Sequence, residues 1–149
     1  MDLGQINDAI NGDRRSLART LSAIENGSIN INDVKQNVKI TSKLQSLNWQ
    51  SLAITGAPGV GKSCMIDKLL SIWAGSGLKI ALLGFDPSSP RTGGALLCDR
   101  VRITSVDDES LKDNIYIRSI ATRKSSGNVP LIVADMVDFL HMAGWERVV

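Results

Sequence analysis

Gly56-Ala57-Pro58-Gly59-Val60-Gly61-Lys62-Ser63 satisfies the pattern G-x-x-x-x-G-K-[ST] at every fixed position. Each residue type has a physical reason. A backbone whose N–H groups turn inward around a phosphate needs φ angles and a close approach that glycine provides at little cost. The Lys62 ammonium is a mobile positive charge for β- and γ-phosphates, and the Ser63 hydroxyl suits Mg²⁺. A helix opening near Gly61 points the positive end of its dipole at the same place. The bare pattern arises by chance in roughly one chain of this size in a few hundred, so its context has to decide.

The flanks agree with a phosphate loop rather than an unrelated glycine turn. Residues 51–55, Ser-Leu-Ala-Ile-Thr, are a short apolar run ending in the glycine turn and read as a buried strand. Residues 63–74 place Met65, Ile66, Leu69, Leu70 and Trp73 at helical spacing, and Gly75 and Gly77 stop that helix. Residues 79–85 read as a second buried strand, 115–117 as a third and 147–149 as the opening of a fourth. Before the last, Asn128 caps a helix with Pro130 in its first turn, carrying Val133, Met136, Val137 and Leu140 to Gly144. Strand–helix–strand alternation means a parallel sheet with helices on its faces.

Upstream the rhythm is helical. Asp13 serves as an N-cap, Leu17, Leu21 and Ile24 fall on one face, and Gly27 ends the helix. A second short helix starts after Asn32, with Val34 and Val38 inward. The fold expected is α/β: a P-loop NTPase three-layer fold with a parallel sheet, incomplete in this chain and preceded by an N-terminal helical segment. The expected division is 1–48 for the helical segment and 49–149 for the nucleotide-binding part, with the joint about residues 46–50.

Composition sets the outer limits. The 149 residues are 43% hydrophobic and 21% charged, an ordinary globular balance that argues against a disordered chain. The net charge is only +2 with both signs interspersed, so neither a nucleic-acid stripe nor a polybasic membrane arm is indicated. Aromatic residues make up 4%, too few for a base-stacking platform. The start of the chain reads as neither a secretory signal nor a transit peptide, and the apolar stretches 78–85 and 129–142 are far short of a membrane span. Cys64 and Cys98 lack metal-site spacing, which fits a reduced, cytoplasmic setting without structural zinc.

Other residues bear on chemistry. Asp86 follows the second strand and so emerges at the carboxyl edge of the sheet, where open α/β folds bind ligands. A carboxylate there can hold the water shell of Mg²⁺ or orient an attacking water; an Asp-Pro turn that merely ends a strand is the bland alternative. Asp99, in Cys98-Asp99-Arg100, is a second candidate for the same neighbourhood, against plain helical charge decoration. Cys64 lies in the first turn of the helix after the loop, where the dipole can activate a thiol; a small, tolerated residue is the simpler account. His141, the single histidine, reads as a helix-surface or core-edge residue, and Trp73, Met136 and Met142 as packing.

GAPGVGKS, the apolar strand, DPSSPRTGGALLCDRVR and IYIRSIATR together resemble the methylmalonyl-CoA-mutase-associated GTPases known as MeaB, also called ArgK or LAO/AO transport-system ATPases. GDRRSLARTLSAIENG resembles that family's N-terminal helical segment, so the likeness covers most of the chain. It implies a GTP- and Mg²⁺-dependent GTPase that acts as a chaperone of an adenosylcobalamin-dependent acyl-CoA mutase and is a homodimer when full length. It implies that residues 56–64, Gly56, Ala57, Pro58, Gly59, Val60, Gly61, Lys62, Ser63 and Cys64, hold the nucleotide. Lys62, Asp86 and Asp99 would serve catalysis, and Ser63, Asp86 and Asp99 the metal, the two aspartates matching the family's first switch segment. Three departures stand out: Cys64 replaces a small hydroxyl residue, Lys124-Ser125-Ser126 replaces a Gly-Gly pair, and the chain stops before the acidic second-switch segment. Two other readings are an ATP-driven kinase or transport ATPase, and a nucleotide-binding fragment without turnover.

Overall fold

The computed structural model describes residues 2–38, 49–57, 59–87, 103–122 and 129–149. The chain divides into two compact units, residues 1–48 with 127–145, and residues 49–126 with 146–149.

The first unit is helical: α1 (Leu3–Ile10), α2 (Arg14–Glu25), α3 (Ile31–Asn37) and α5 (Val129–Met142). Each N-terminal helix begins where a short polar side chain caps it. Asp13 accepts a hydrogen bond from the Ser16 N–H at 2.7 Å, and Asn30 accepts one from the Asn32 N–H at 2.9 Å. The Asp13 carboxyl is held below its ordinary value, first by the Ser16 side chain and then by the Ser16 backbone. The apolar faces of these helices then meet: Ile6, Leu17, Leu21, Ile24 and Val34 are buried, together with Met136, Phe139 and Leu140 of α5. The sequence reading puts residues 129–144 in the same domain as the phosphate loop; in the structure α5 packs with α2 and α3 instead.

α1 is an addition to the sequence reading. Asp2 accepts from the Gly4 and Gln5 N–H groups, and Ile6 and Ala9 face inward. His141 is buried, with Nδ1 2.8 Å from the Trp145 carbonyl oxygen, so Nδ1–H is the donor of that bond.

The second unit holds the sheet. Three strands, β1 (Ile80–Pro87), β2 (Ile115–Thr122) and β3 (Arg147–Val148), are parallel in the order β2-β1-β3. Ile80 stands opposite Ile115 and Arg147, placing β1 at the centre. That position explains its sequence: Ile80, Ala81, Leu82 and Leu83 are all buried, the continuous apolar run of a strand covered on both faces. α4 (Lys62–Gly75) lays Leu70 and Ala74 into a cluster with Ile80, Leu82, Ile103 and Ile115. Gly77, in the left-handed region at φ +88°, ends α4 by donating its N–H to the Ala74 carbonyl, and the Leu78 N–H donates to that of Trp73.

One expectation fails in its extent. Residues 51–55 were expected to be a buried strand, but only Ser51 bridges Val148, in parallel, and Leu52 is 39% exposed. The entry to the loop is instead fixed at its foot. The Leu52 N–H donates to the Val148 carbonyl and the Val148 N–H to that of Gln50, each at 2.9 Å. The Arg147 guanidinium lies 4.5 Å from the Trp49 ring centre, and Trp49 meets Trp73 of α4 at 5.2 Å.

Candidate phosphate-binding site

Between that anchored entry and α4, the loop turns back on itself through glycines. Gly59 and Gly61 have φ of +80° and +91°, conformations that an L side chain adopts only under strain. Gly61 is also the N-cap of α4 and supplies no capping side chain, so the start of the helix is left without a side-chain acceptor from that position. Such a helix start receives anions, since its dipole and its N–H groups both favour negative charge.

The Lys62 ammonium shows where the loop is concave. Its Nζ donates to the carbonyls of Gly56 and Ala57, each at 2.7 Å, reaching across the loop from the first residue of α4. The structure therefore brings Gly56, Ala57 and Lys62 together. Gly56, Ala57, Gly59, Val60 and Gly61 are exposed, with Val60 at 64%, so the loop is open to a solvent-borne ligand. Ser63 follows in the first helical turn, partly buried, and Cys64 beside it is an exposed free thiol. Pro58 lies outside the described residues.

The carboxylate candidates fare differently. Asp86 belongs to the last turn of register of β1, opposite Ala121, at the carboxyl end of the sheet. Asp99, with the whole stretch 88–102, lies outside the described residues. Among the described residues there is no cluster of three or more His, Cys, Asp or Glu side chains able to hold a metal ion. The donor set at the loop is a single serine hydroxyl, a hard oxygen. That fits Mg²⁺, which keeps most of its water and takes one or two protein oxygens plus phosphate.

Sequence reasoning passed over one acidic residue of α4. The Asp67 carboxylate accepts from the Thr104 hydroxyl at 2.9 Å and from the Ser105 N–H at 2.8 Å. Partial burial pushes its pKa up, but these hydrogen bonds outweigh that, and the carboxyl is held below its ordinary value. They fasten the short 3-10 turn Thr104–Val106 to the helix that starts at Lys62.

Residues 17–149 match the family model described as methylmalonyl-CoA mutase-associated GTPase MeaB. The chain belongs to the MeaB family. Among curated relatives, this MeaB-family chain is 38% identical over 137 residues to a Pyrococcus abyssi protein named "Putative GTPase", covering 91% of the chain and 40% of that relative. It is 35% identical over 138 residues to the "Fused isobutyryl-CoA mutase" of Paraburkholderia xenovorans, covering 91% of the chain and 11% of that protein. A "Probable GTPase" of Mycobacterium tuberculosis is 33% identical over 135 residues, covering 91% of the chain and 39% of the relative. The chain thus spans well under half the length of these relatives. Among the described residues, no helix is long and apolar enough to cross a membrane.

Proposed function

We propose that this chain supplies the phosphate-binding part of a GTPase that serves as chaperone to an adenosylcobalamin-dependent acyl-CoA mutase. The observation that carries the reading is the Lys62 ammonium reaching over the glycine loop to the Gly56 and Ala57 carbonyls. A positive charge held over a glycine loop supports a site for the β- and γ-phosphates of a nucleotide. The family match supports GTP as the nucleotide. Relatives in which a matching segment is part of a protein named as a fused isobutyryl-CoA mutase support a mutase as the partner. The same family likeness is the ground for a cytoplasmic homodimer as the full-length form.

In this reading, the reaction is in-line attack of water on the γ-phosphate. Lys62 gives up its loop carbonyls and neutralises charge on the phosphates, Ser63 supplies a hydroxyl to Mg²⁺, and the glycine-rich backbone orients the nucleotide. Ser63 would hold Mg²⁺, which would supply compensating charge to the phosphates. Asp86 and Asp99 would orient the water around that cation.

The test is a titration of the full-length protein with a fluorescent GTP analogue, competed by unlabelled GTP and ATP. GTP is expected to displace the analogue at lower concentration than ATP; a preference for ATP favours the kinase or transport-ATPase reading and overturns this one. Single-turnover release of the γ-phosphate then separates hydrolysis from binding without turnover. Co-elution of the chain with an acyl-CoA mutase, strengthened by GTP, is the expected sign of the partner, and its absence with either nucleotide removes the chaperone role.

A further inference from the structure

Trp49 lies seven residues before Gly56, on the entry side of the phosphate loop, and Trp73 lies in α4 on the exit side, eleven residues after Lys62. Their ring centres are 5.2 Å apart with the planes tilted by 56°, so the two flanks of the loop meet through an aromatic contact. The backbone of residues 50–52 is held to β3 by two hydrogen bonds with Val148, and Ser51, Leu52, Ala53 and Thr55 are exposed. Backbone bonds at such an exposed edge exchange with bonds to water and contribute little net. The Trp49–Trp73 contact is what brings the entry of the loop against the helix that leaves it.

Arg147, the residue before Val148, bears on that contact. Its guanidinium stands over the Trp49 ring, 4.5 Å from the centre, and its Nη1 donates to the Glu146 carbonyl at 3.2 Å. The residue is 7% exposed, Nε is buried with no hydrogen-bond partner, and among the described residues no carboxylate pairs with it. Burying a guanidinium without a counter-ion is unfavourable, and an apolar side chain of similar length in the same place is less so. Stability of β3 is therefore a poor reason for an arginine here, whereas the face of Trp49 gives it a partner suited to its planar cation. We propose that Trp49 and Arg147 are positioning residues of the nucleotide site: Arg147 holds Trp49 against Trp73, and this clamp keeps the two flanks of the phosphate loop at the spacing that takes phosphate. The inference rests on the nucleotide reading above. In this role neither residue touches the nucleotide; both act through the flanks of the loop. With the clamp open, fewer molecules hold the loop in its binding shape, and the apparent affinity falls by that fraction.

The test titrates the full-length protein with the fluorescent GTP analogue and records its thermal melt, for the wild type, Arg147→Met, Trp49→Ala, Trp49→Phe and the Arg147→Met/Trp49→Ala pair. Arg147→Met keeps the length of the side chain without its charge. Trp49 is half-buried, so its variants decide the matter if Arg147→Met folds badly. The expected result is a split. Arg147→Met melts at or above the wild-type temperature yet binds the analogue about five-fold more weakly. Trp49→Ala binds about ten-fold more weakly, while Trp49→Phe, which keeps an aromatic face for both partners, stays within about two-fold of the wild type. The pair is expected to be no weaker than Trp49→Ala alone, because Arg147 acts through Trp49. A purely stabilising role would lower the melt and leave the affinity of the folded protein unmoved. If Arg147→Met and Trp49→Ala both bind within about two-fold of the wild type, if Trp49→Phe is as weak as Trp49→Ala, or if the Arg147 and Trp49 losses multiply, the clamp is overturned while the nucleotide reading stands. If the wild type binds no GTP analogue, the nucleotide reading falls and takes this inference with it.

Discussion

Replacing Lys62 by alanine isolates the charge on which the functional reading rests. In the structure its ammonium holds two loop carbonyls, of Gly56 and Ala57, at 2.7 Å each. Nucleotide binding has to exchange those bonds for phosphate oxygens. A unit charge about 4 Å from a phosphate charge is attracted by about 4 kcal/mol at an effective dielectric near 20. Giving up two carbonyl bonds costs about 1 kcal/mol each. The difference, about 2 kcal/mol, is about 30-fold in dissociation constant, and salt screening at an exposed loop trims it toward about 10-fold. Equilibrium titration with the fluorescent GTP analogue in low and physiological salt measures it. The wild type is expected to lose affinity with salt more steeply than Lys62→Ala, since the variant has lost the charge being screened. The melting temperature should hardly move, because both loop residues are exposed and their carbonyls can turn to water. A change below about three-fold in affinity, with the fold intact, would refute the placement of Lys62 on the phosphates.

Gly61→Ala probes the backbone alone, because a methyl group there meets no atom within 4 Å while φ is +91°. The expected strain is about 1–2 kcal/mol, or about 5- to 30-fold in GTP affinity; unchanged affinity means that the loop takes phosphate in another conformation. Asp67 gives a pH signature. Its carboxyl is held below the ordinary value of 3.8, so the stability it adds is fully present above that value and lost as pH falls through the lower folded-state value. Melts of the wild type and Asp67→Asn should therefore differ at pH 7 and converge in strong acid, whereas a constant gap would show that the charge is irrelevant. Two neighbours on α4 calibrate the core: Leu70 is fully buried and Ile72 is 58% exposed. Leu70→Ala is expected to cost about 2–5 kcal/mol and Ile72→Ala under about 0.5 kcal/mol, read by urea denaturation; similar costs would mean that α4 is rotated from the face described.

The elements legible in the sequence were those whose determinants are local. Asp13 before Leu17, Leu21 and Ile24 announces α2 because the cap and the apolar face lie within twelve residues. The run from Ile80 to Leu83 announces a central parallel strand because burial on both faces leaves no polar alternation. α1 was missed because eight residues with only Ile6 and Ala9 inward carry too little periodicity to separate from a loop. The placement of α5 was not legible either. Its apolar face would suit a sheet or a helical partner equally well, and the choice of α2 and α3 is made by tertiary packing that no local pattern encodes.

The same distinction divides the site. Eight consecutive residues define the loop, and its chemistry is almost entirely that of its own backbone, so the left-handed Gly59 and Gly61 and the inward reach of Lys62 follow from residue type and spacing. A carboxylate has no such self-sufficiency. Asp67 looks like surface decoration on α4 until Thr104 and Ser105, 37 and 38 residues later, are brought to it. Nothing in the spacing of Asp67 from Lys62 announces those partners, because a hydrogen-bonded carboxylate is recognised by its donors and not by its neighbours in sequence. Asp86 and Asp99 pose the same problem in reverse: the resemblance supplies roles for them, while their meaning depends on atoms far along the chain.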